Sequence, residues 1–178
     1  IKSLNARATM DAVAQTAKLE RIEMDFGAAR VSITGSGERK PEGQMFSGRA
    51  DVQRIPISRL GDYWPLEIAE GGRQWALTNL SNGELDVATE FALSTTGNDL
   101  SAIKVDRLIG LLGYRGMTVR YMPNMPELQG VSGTARYDGG TLHFDIASGS
   151  TVNLTMGPTT IDLTDLDKPP PQYATIRM

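Results

Sequence analysis

The 178-residue chain contains no cysteine, one histidine and few aromatic residues, which make up 6% of the sequence. The absence of cysteine excludes disulfides, thiolate metal sites and cysteine nucleophiles. It leaves the compartment open, because a periplasmic protein can do without disulfides. The single histidine, His143, falls on the polar side of an alternating run, so we interpret it as a solvated strand residue and not as a catalytic or metal-binding group.

Basic residues are neither abundant nor clustered. The chain has 18 lysines and arginines against 21 acidic residues, for a net charge of -3. No concentrated positive face is available for a phosphate backbone, so we expect no nucleic-acid partner. No run of about 18 apolar residues could span a bilayer as a helix. The glycine-rich segment TGSGERKPEG, residues 34–43, lacks the P-loop pattern and predicts a turn between strands.

Three acidic side chains lie close together in the sequence at Asp162, Asp165 and Asp167. They could in principle ligate calcium, but they lack the loop spacing and the glycine of a recognised calcium site. A solvated turn is the favoured interpretation. The sequence therefore predicts no metal, no cofactor and no catalytic residues, and the protein is not expected to be an enzyme.

Alternation with a period of two dominates the chain, as in RIEMDF, where Ile22, Met24 and Phe26 face opposite the charged residues between them. Glycines beside Asn, Asp, Ser or Pro separate such runs, which is typical of hairpins. We predict a mainly β fold, an antiparallel meander forming one domain over residues 1–178. Residues 11–16 would also suit a short helix. The Pro-rich residues 167–173 predict an extended link before a last strand.

One stretch, DYWPLEIAEGGRQWALTNLSNG at residues 62–83, predicts a helical insertion with its helix over about 65–81. Pro65 suits the first turn and Asn82-Gly83 a left-handed stop, while Gly71-Gly72 predicts a kink or a break into two helices. Trp75 is predicted to be buried. The residues predicted to pack this helix against the sheet are Trp64, Leu66, Trp75, Leu77 and Leu80.

About ten strands roughly 4.8 Å apart make a sheet on the order of 48 Å wide, whereas a 16-residue helix is only about 24 Å long. One helix cannot cover that apolar face. The sheet must close into a barrel or sandwich, associate with another chain, or curl into a groove or half-barrel that stays open for an apolar ligand. The predicted groove lining is Ile22, Met24, Phe26, Val31, Ile33, Phe46, Leu85, Val87, Phe91, Leu93, Val119, Tyr121, Val131, Tyr137, Leu142, Phe144, Ile146, Val152 and Leu154.

Two segments are similar to a known family. WPLEIAEGGRQWALTNLSNGEL has Trp64-Pro65, Arg73, Trp75 and Asn79-Leu80 at a spacing that resembles the large YhdP-type branch of the AsmA-like proteins of Gram-negative bacteria. YMPNMPELQGVSGTARYDGGTLHFDIASG, residues 121–149, resembles the tyrosine, methionine-proline and glycine-strand pattern of the same branch. Glu127 stands where the family more often has a second proline, a departure confined to a turn.

The resemblance implies a section of a bridge-like lipid-transfer protein, anchored in the inner membrane by an N-terminal helix outside this sequence and extending through the periplasm. Its partner would be a phospholipid or another acyl lipid, shielded in a β-groove on the way to the outer membrane. Both ends of the chain lie in alternating runs, so we expect an internal section of a longer envelope protein. Cut sheet edges could then pair with each other.

Two other functions remain open on the residues alone. A non-catalytic structural or interaction module of the cell envelope would have a closed β core and no ligand. A carbohydrate-binding β-sandwich is less favoured, because the exposed aromatic platform of such modules is not evident in a sequence with 6% aromatic residues.

Overall fold

The computed structural model describes residues 1–64, 66, 69–97, 103–152, 154–168 and 171–178. A 3-10 helix spans Ile57–Asp62, and one α-helix, α1, spans Glu70–Asn79. The strands are β1 (Ser3–Asp11), β2 (Thr16–Asp25), β3 (Arg30–Lys40), β4 (Gly43–Pro56), β5 (Leu80–Ser81), β6 (Glu84–Ser94), β7 (Lys104–Val119), β8 (Leu128–Asp138), β9 (Thr141–Thr151), β10 (Leu154–Met156), β11 (Thr159–Thr164) and β12 (Tyr173–Arg177).

The strands form one sheet in the order β1-β2-β3-β4-β6-β7-β8-β9-β11-β12, with β10 beside β9 and β5 beside β7. Neighbours in this order are also neighbours along the chain, apart from the two short side strands. The pairs β1–β2, β2–β3, β3–β4, β9–β11 and β11–β12 are antiparallel. The predicted fold class, a mainly β antiparallel meander in an open sheet, is therefore confirmed.

The first hairpin turns where the sequence also allowed a short helix. Both backbone N–H groups of Val13 and Ala14 donate to Oδ1 of Asp11, each at 2.9 Å, and Gln15 takes a left-handed conformation with φ of 53°. An aspartate that accepts hydrogen bonds from the backbone two and three residues later stabilises a turn. Residues 11–16 therefore form a tight turn between β1 and β2, and the helical alternative is wrong.

The helical insertion differs from its predicted bounds. Ala69 has a left-handed backbone with φ of 49°, and α1 begins at Glu70, later than expected; Pro65 lies outside the described residues. The helix runs unbroken through Gly71-Gly72, so the predicted break there is wrong. Both glycines lie in the first turn of α1. The N–H groups of a first turn have no hydrogen-bond partner within the helix, so glycine there weakens few helical hydrogen bonds. Asn82 and Gly83 have positive φ, but they form the turn after β5 and do not end the helix.

Two compact units are distinguished by their contacts. Unit 1 comprises residues 1–53, 87–111 and 137–139, and unit 2 comprises residues 54–86, 112–136 and 140–178. Each unit gathers separate stretches of the chain, and the expectation of one domain over 1–178 stays a prediction. The buried hydrophobic residues of unit 2 are Ile55, Ile57, Leu60, Ala76, Leu85, Tyr114, Met117, Val131, Ala135 and Ile146, whereas those of unit 1 are Ala29 and Ile109. The well-packed core therefore lies in unit 2.

Candidate functional site

An apolar surface covers one side of the first four strands, all within unit 1. Strand register places Leu4, Met24, Val31 and Val52 in one cross-strand row. Residues paired directly across an antiparallel sheet point to the same side. The same registers give three further rows, which are Ala6-Ile22-Ile33-Ala50, Ala8-Leu19-Gly35-Gly48 and Met10-Ala17-Gly37-Phe46. We call these four rows the β1–β4 face.

A β-bulge in β2 keeps this face apolar. Leu19 pairs with Ala8 and Gly35, and Ile22 pairs with Ala6 and Ile33, so Glu20 and Arg21 are two residues where each neighbouring strand has one. A bulge of this kind shifts the alternation by one residue. Without it, Leu19 and Ile22 would point to opposite sides of the sheet, because an odd sequence separation reverses the side. The bulge therefore returns Leu19 to the apolar side.

The opposite side of the same strands is polar. Its rows include Asn5-Glu23-Ser32-Asp51, and Arg49 donates two hydrogen bonds of 2.9 Å to the carboxylate of Asp51. The ion pair raises the pKa of Arg49, first through these hydrogen bonds and then through the charge of Asp51. Because charged groups are costly to remove from water, this side of the strands is suited to facing solvent. The contrast between the two sides makes the sheet amphipathic.

The β1–β4 face is itself only partly covered. No residue of its four rows belongs to the buried core, and at its outer strand Leu4 is 59% and Met10 81% exposed. Its central residues, among them Ile22, Ile33, Val31 and Val52, are half-buried. A contiguous apolar surface that stays exposed is uncommon in a folded protein and marks a place where something apolar binds. This face is the candidate functional site.

Glycines shape one end of the face. A Cβ atom at Gly48 would lie 2.8 Å from Cζ of Phe91, and one at Gly37 would lie 3.1 Å from Cδ1 of Phe46. Both rings therefore rest directly on glycine backbone, which a side chain at either position would prevent. At Gly35, the neighbour of Gly48, the three nearest atoms are all backbone atoms of β4. The face thus changes from branched side chains at the Val52 row to bare backbone and two rings at its other end.

Unit 2 holds a packed aromatic pair instead of an open surface. Tyr114 is 3% exposed and meets Phe144 edge-on, with ring centroids 6.4 Å apart. Its hydroxyl donates to the backbone carbonyl of Asp145 at 3.3 Å. Burial, and then the negative charge of Asp145, raises the pKa of Tyr114 to about 12. Gly133 makes this contact possible, because a Cβ there would run into the same carbonyl and lie 2.8 Å from the Tyr114 hydroxyl.

The helical insertion belongs to unit 2 and is held by Arg73. Nε of Arg73 donates to the carbonyl of Trp64 at 3.0 Å, and Nη2 donates to the carbonyl of Gly61 at 3.2 Å. These bonds tie α1 to the end of the 3-10 helix, where Leu77 also lies 3.5 Å from the Cβ position of Gly61. A planar guanidinium with several donors is well suited to joining two carbonyls. The helical insertion is thus held in place by the hydrogen bonds of Arg73 and by the burial of Ala76.

The predicted packing of this helix is only partly correct. Trp64 and Leu80 are half-buried, but Trp75 is 48% exposed and Leu66 is 65% exposed. The prediction that Trp75 is buried is wrong. Ala76 faces inward, and a neighbouring helical residue points about 100° away from it, which turns the indole toward solvent. Leu77 is 39% exposed, and its two δ-methyl groups lie near Gly61.

His143 lies on the polar side of β9, as predicted, and joins a charged network. It contacts Oδ1 of Asp162 through Nδ1 at 2.5 Å and Oδ1 of Asp145 through Nε2 at 3.3 Å, while Arg177 donates to Asp162 at 2.7 Å. The hydrogen bond with Asp162 raises the pKa of His143. The hydrogen bonds from His143 and Arg177 together lower the pKa of Asp162. Within the described ranges no group of three potential ligands could hold a metal ion. The network connects β9, β11 and β12.

The predicted groove lining divides between the two units. Ile22, Met24, Val31, Ile33 and Phe46 share the β1–β4 face. The other members in unit 1 are Phe26, Val87, Phe91, Leu93 and Tyr137, and those in unit 2 are Leu85, Val119, Tyr121, Val131, Leu142, Phe144, Ile146, Val152 and Leu154.

Leu85, Val131 and Ile146 are 6%, 3% and 7% exposed, so they are packed core and the prediction of an open lining is wrong for them. Val152 is 82% exposed at the β9–β10 turn, and Leu154 beside it is 65% exposed. The assignment of the remaining residues to a groove stays a prediction.

Several members of the face were not singled out from the sequence. Leu4 and Met10 lie in an alternating run whose partner could not be identified without the register. Leu19 is hidden by the bulge, since it is out of phase with Ile22. Gly35 and Gly48 carry no hydrophobic signal at all, and only the register between β3 and β4 shows that they are paired.

Comparison of the chain with protein-family models, with curated proteins and with solved structures finds no match. Among the helices in the described part of the chain, none has the length and apolar character needed to cross a membrane.

Proposed function

We propose that the β1–β4 face binds the acyl chains of a phospholipid and that the chain is a section of a lipid-transfer protein. The observation that carries the proposal is the exposure of this face. The face consists of four rows of mostly aliphatic residues, from Leu4 to Phe46, and none of these residues is buried. The core of unit 2, in contrast, is well packed. A surface of this kind needs an apolar partner to be removed from water.

The dimensions of the face suit an acyl chain. Six residues separate the Leu4 and Met10 rows along β1, which is about 20 Å at roughly 3.4 Å per residue. One leaflet of a bilayer has a hydrocarbon thickness of about 15 Å, half of the roughly 30 Å core. The face is therefore long enough for one extended chain. Its aliphatic side chains make no directional demands, which is consistent with a flexible ligand.

The binding energy of such a face is low enough to allow a bound acyl chain to be released, as lipid transfer requires. Full burial of a CH₂ group gains about 0.8 kcal/mol, and a chain lying on one side of a sheet has roughly half of its surface covered, or about 0.4 kcal/mol per group. The sheet would offset part of the cost of leaving a bilayer and still release the chain. No covalent step is involved, and no catalytic group is required.

We further propose that this section acts in the periplasm, within a longer protein anchored in the inner membrane. The support is the resemblance of residues 64–85 and 121–149 to the YhdP-type AsmA-like branch. The clasp between Arg73 and the carbonyls of Trp64 and Gly61 gives one of those motif residues a structural role.

The second candidate is a non-catalytic structural module, and the packed core of unit 2 favours it. Tyr114, Met117 and Val131 are each less than 8% exposed, as in a closed domain that binds no ligand. Under this alternative the β1–β4 face would contact protein and retain no lipid.

A charge placed on the face separates the two candidates. Ile33 lies between Ile22 and Ala50 on the face, and Thr34, the next residue, points to the polar side opposite Arg49. The wild-type chain, Ile33→Asp and Thr34→Asp are incubated with vesicles of phosphatidylethanolamine and phosphatidylglycerol, reisolated and extracted for mass spectrometry. We expect lipid on the wild type and on Thr34→Asp, and little on Ile33→Asp. An unfolded Ile33→Asp is recognised by circular dichroism, and Ile33→Gln then replaces it.

Wild-type protein that carries no lipid would exclude the proposal and favour the structural module. Equal lipid on all three folded proteins would show that lipid binds elsewhere.

A further inference from the structure

Phe91, a residue of β6, lies against Gly48 of the β1–β4 face, at a position where a side chain is missing. A Cβ atom at Gly48 would lie 2.8 Å from Cζ of its ring, closer than real Cβ atoms approach another atom. The Phe91 ring therefore packs against the backbone of β4 at Gly48. An aromatic ring that covers a glycine in a sheet restores the packing that the glycine forfeits. A Cβ atom at Gly48 would come still closer to the backbone oxygen of Thr34, so the backbone of β3 and the Phe91 ring together require glycine at this position.

The ring covers only one side of a bare area. Gly48 pairs directly with Gly35 on β3, so two neighbouring strands lack side chains at this level. The nearest atoms to a Cβ at Gly35 are backbone atoms, whereas at Gly48 the ring of Phe91 is among them. In the following row, Phe46 lies against Gly37 in the same manner, at 3.1 Å. Two rings therefore mark the same end of the face.

The position of the rings corresponds to a length. Four residues along β4 separate the Val52 row from the Gly48 row, which is about 14 Å at roughly 3.4 Å per residue. This is close to the hydrocarbon thickness of one leaflet, about 15 Å. A chain lying along the strands from the Val52 row would thus meet Phe91 near its end.

We propose that Phe91, seated on Gly48, is a specificity-determining residue that sets the longest acyl chain the β1–β4 face accepts, an inference that rests on the proposed lipid-binding function. A shorter side chain at position 91 would uncover one further row, about 7 Å of surface. A larger ring would shorten the available surface. The two changes are expected to shift the chain-length preference in opposite directions, which a merely structural role of Phe91 would not produce.

The test uses the full chain and phosphatidylcholines of graded acyl length, mixed in equal amounts in one vesicle preparation. Bound lipid is extracted from wild type, Phe91→Ala and Phe91→Trp, and the ratio of long to short chains is measured by mass spectrometry. We expect Phe91→Ala to raise this ratio about fivefold and Phe91→Trp to lower it, a change equivalent to about 1 kcal/mol. Tyr114→Ala is the control, because it removes a ring of similar size from the packed pair with Phe144 and Tyr114 is not part of the predicted groove lining.

The outcomes distinguish the two proposals. If wild type binds lipid and both Phe91 variants keep its chain-length ratio, the role of Phe91 is refuted and the lipid-binding function stands. If the wild type binds no lipid, the proposed function fails and the inference fails with it. A shift of the same size in Tyr114→Ala would trace the effect to a loosened fold, against the role of Phe91.

Discussion

Replacing Gly133 by alanine is expected to destabilise unit 2 more than an ordinary glycine substitution in a strand. A Cβ atom at this position would run into the backbone carbonyl oxygen of Asp145 and lie 2.8 Å from the hydroxyl of Tyr114. The same hydroxyl donates to that carbonyl. The new methyl group must therefore separate β8 from β9, displace the Tyr114 ring, or do both.

The size of the effect follows from two costs. Inserting a methyl group into a packed interior costs about 1–3 kcal/mol, because neighbouring groups are forced out of their minima. Loss of the Tyr114 hydrogen bond adds about 0.5–1.5 kcal/mol. A total of about 3 kcal/mol would lower the melting temperature by roughly 6–12 °C for a chain of this size.

The assay is urea unfolding followed by circular dichroism, with Gly113→Ala as the matched control. Gly113 also lies in a strand, and a Cβ atom there would meet nothing within 4 Å. Its free energy of unfolding should change by no more than about 0.5 kcal/mol. Combining Gly133→Ala with Tyr114→Phe should recover little, since the clash with the Asp145 carbonyl remains. Equal stabilities for Gly133→Ala and Gly113→Ala would refute the reasoning.

Three further predictions concern unit 2. The pKa of Tyr114 is raised to about 12, so the folded state binds a proton that the unfolded state releases above pH 10; stability should fall as pH rises from about 10 to 12, and less steeply in Tyr114→Phe, as measured by urea unfolding. The pKa of His143 is raised by its bond with Asp162, so its contribution to stability is present at low pH and lost as pH rises through that pKa. Asp162→Asn should return this pKa toward its usual value in an NMR titration, and an unchanged pKa would contradict the contact. Arg73→Ala removes two donors to backbone carbonyls and should cost about 1–3 kcal/mol, with faster amide hydrogen exchange in α1; exchange that stays as slow as in wild type would show that the clasp is dispensable.

The strands of unit 1 could be predicted because their alternation reflects their two environments. Met24, Val31 and Val52 alternate with charged or polar residues in the sequence, and the structure places them in one row. A side chain on an amphipathic sheet has only two directions, so a period of two contains most of the information about its face. Register between strands is a separate property, and only the structure provides it.

The helical insertion was harder to predict because its limits depend on backbone geometry. Ala69 takes a left-handed conformation that its side chain does not favour, and α1 begins after it. Trp75 has the size of a core residue, but its direction is fixed by the neighbouring Ala76. Neither the backbone conformation of Ala69 nor the direction of the Trp75 side chain can be predicted from composition or residue spacing.

The contacts that shape the candidate site join distant parts of the sequence. Gly48 and Phe91 are brought together by the pairing of β4 with β6, and a lone glycine in a strand does not show which ring will cover it. The face was therefore predictable as an apolar surface, whereas its glycine-lined end was not.

The bulge at Glu20 and Arg21 also affects how related sequences should be aligned with this one. Because two residues of β2 stand opposite one residue on each neighbouring strand, a chain that lacks one of them would regain regular pairing and still present Leu19 and Ile22 on the same side. Length variation at this point is therefore structurally neutral for the face. A single-residue gap here should be accepted in an alignment. A gap between Ile22 and Met24 would instead move the side chains on one side of the gap to the opposite face of the sheet.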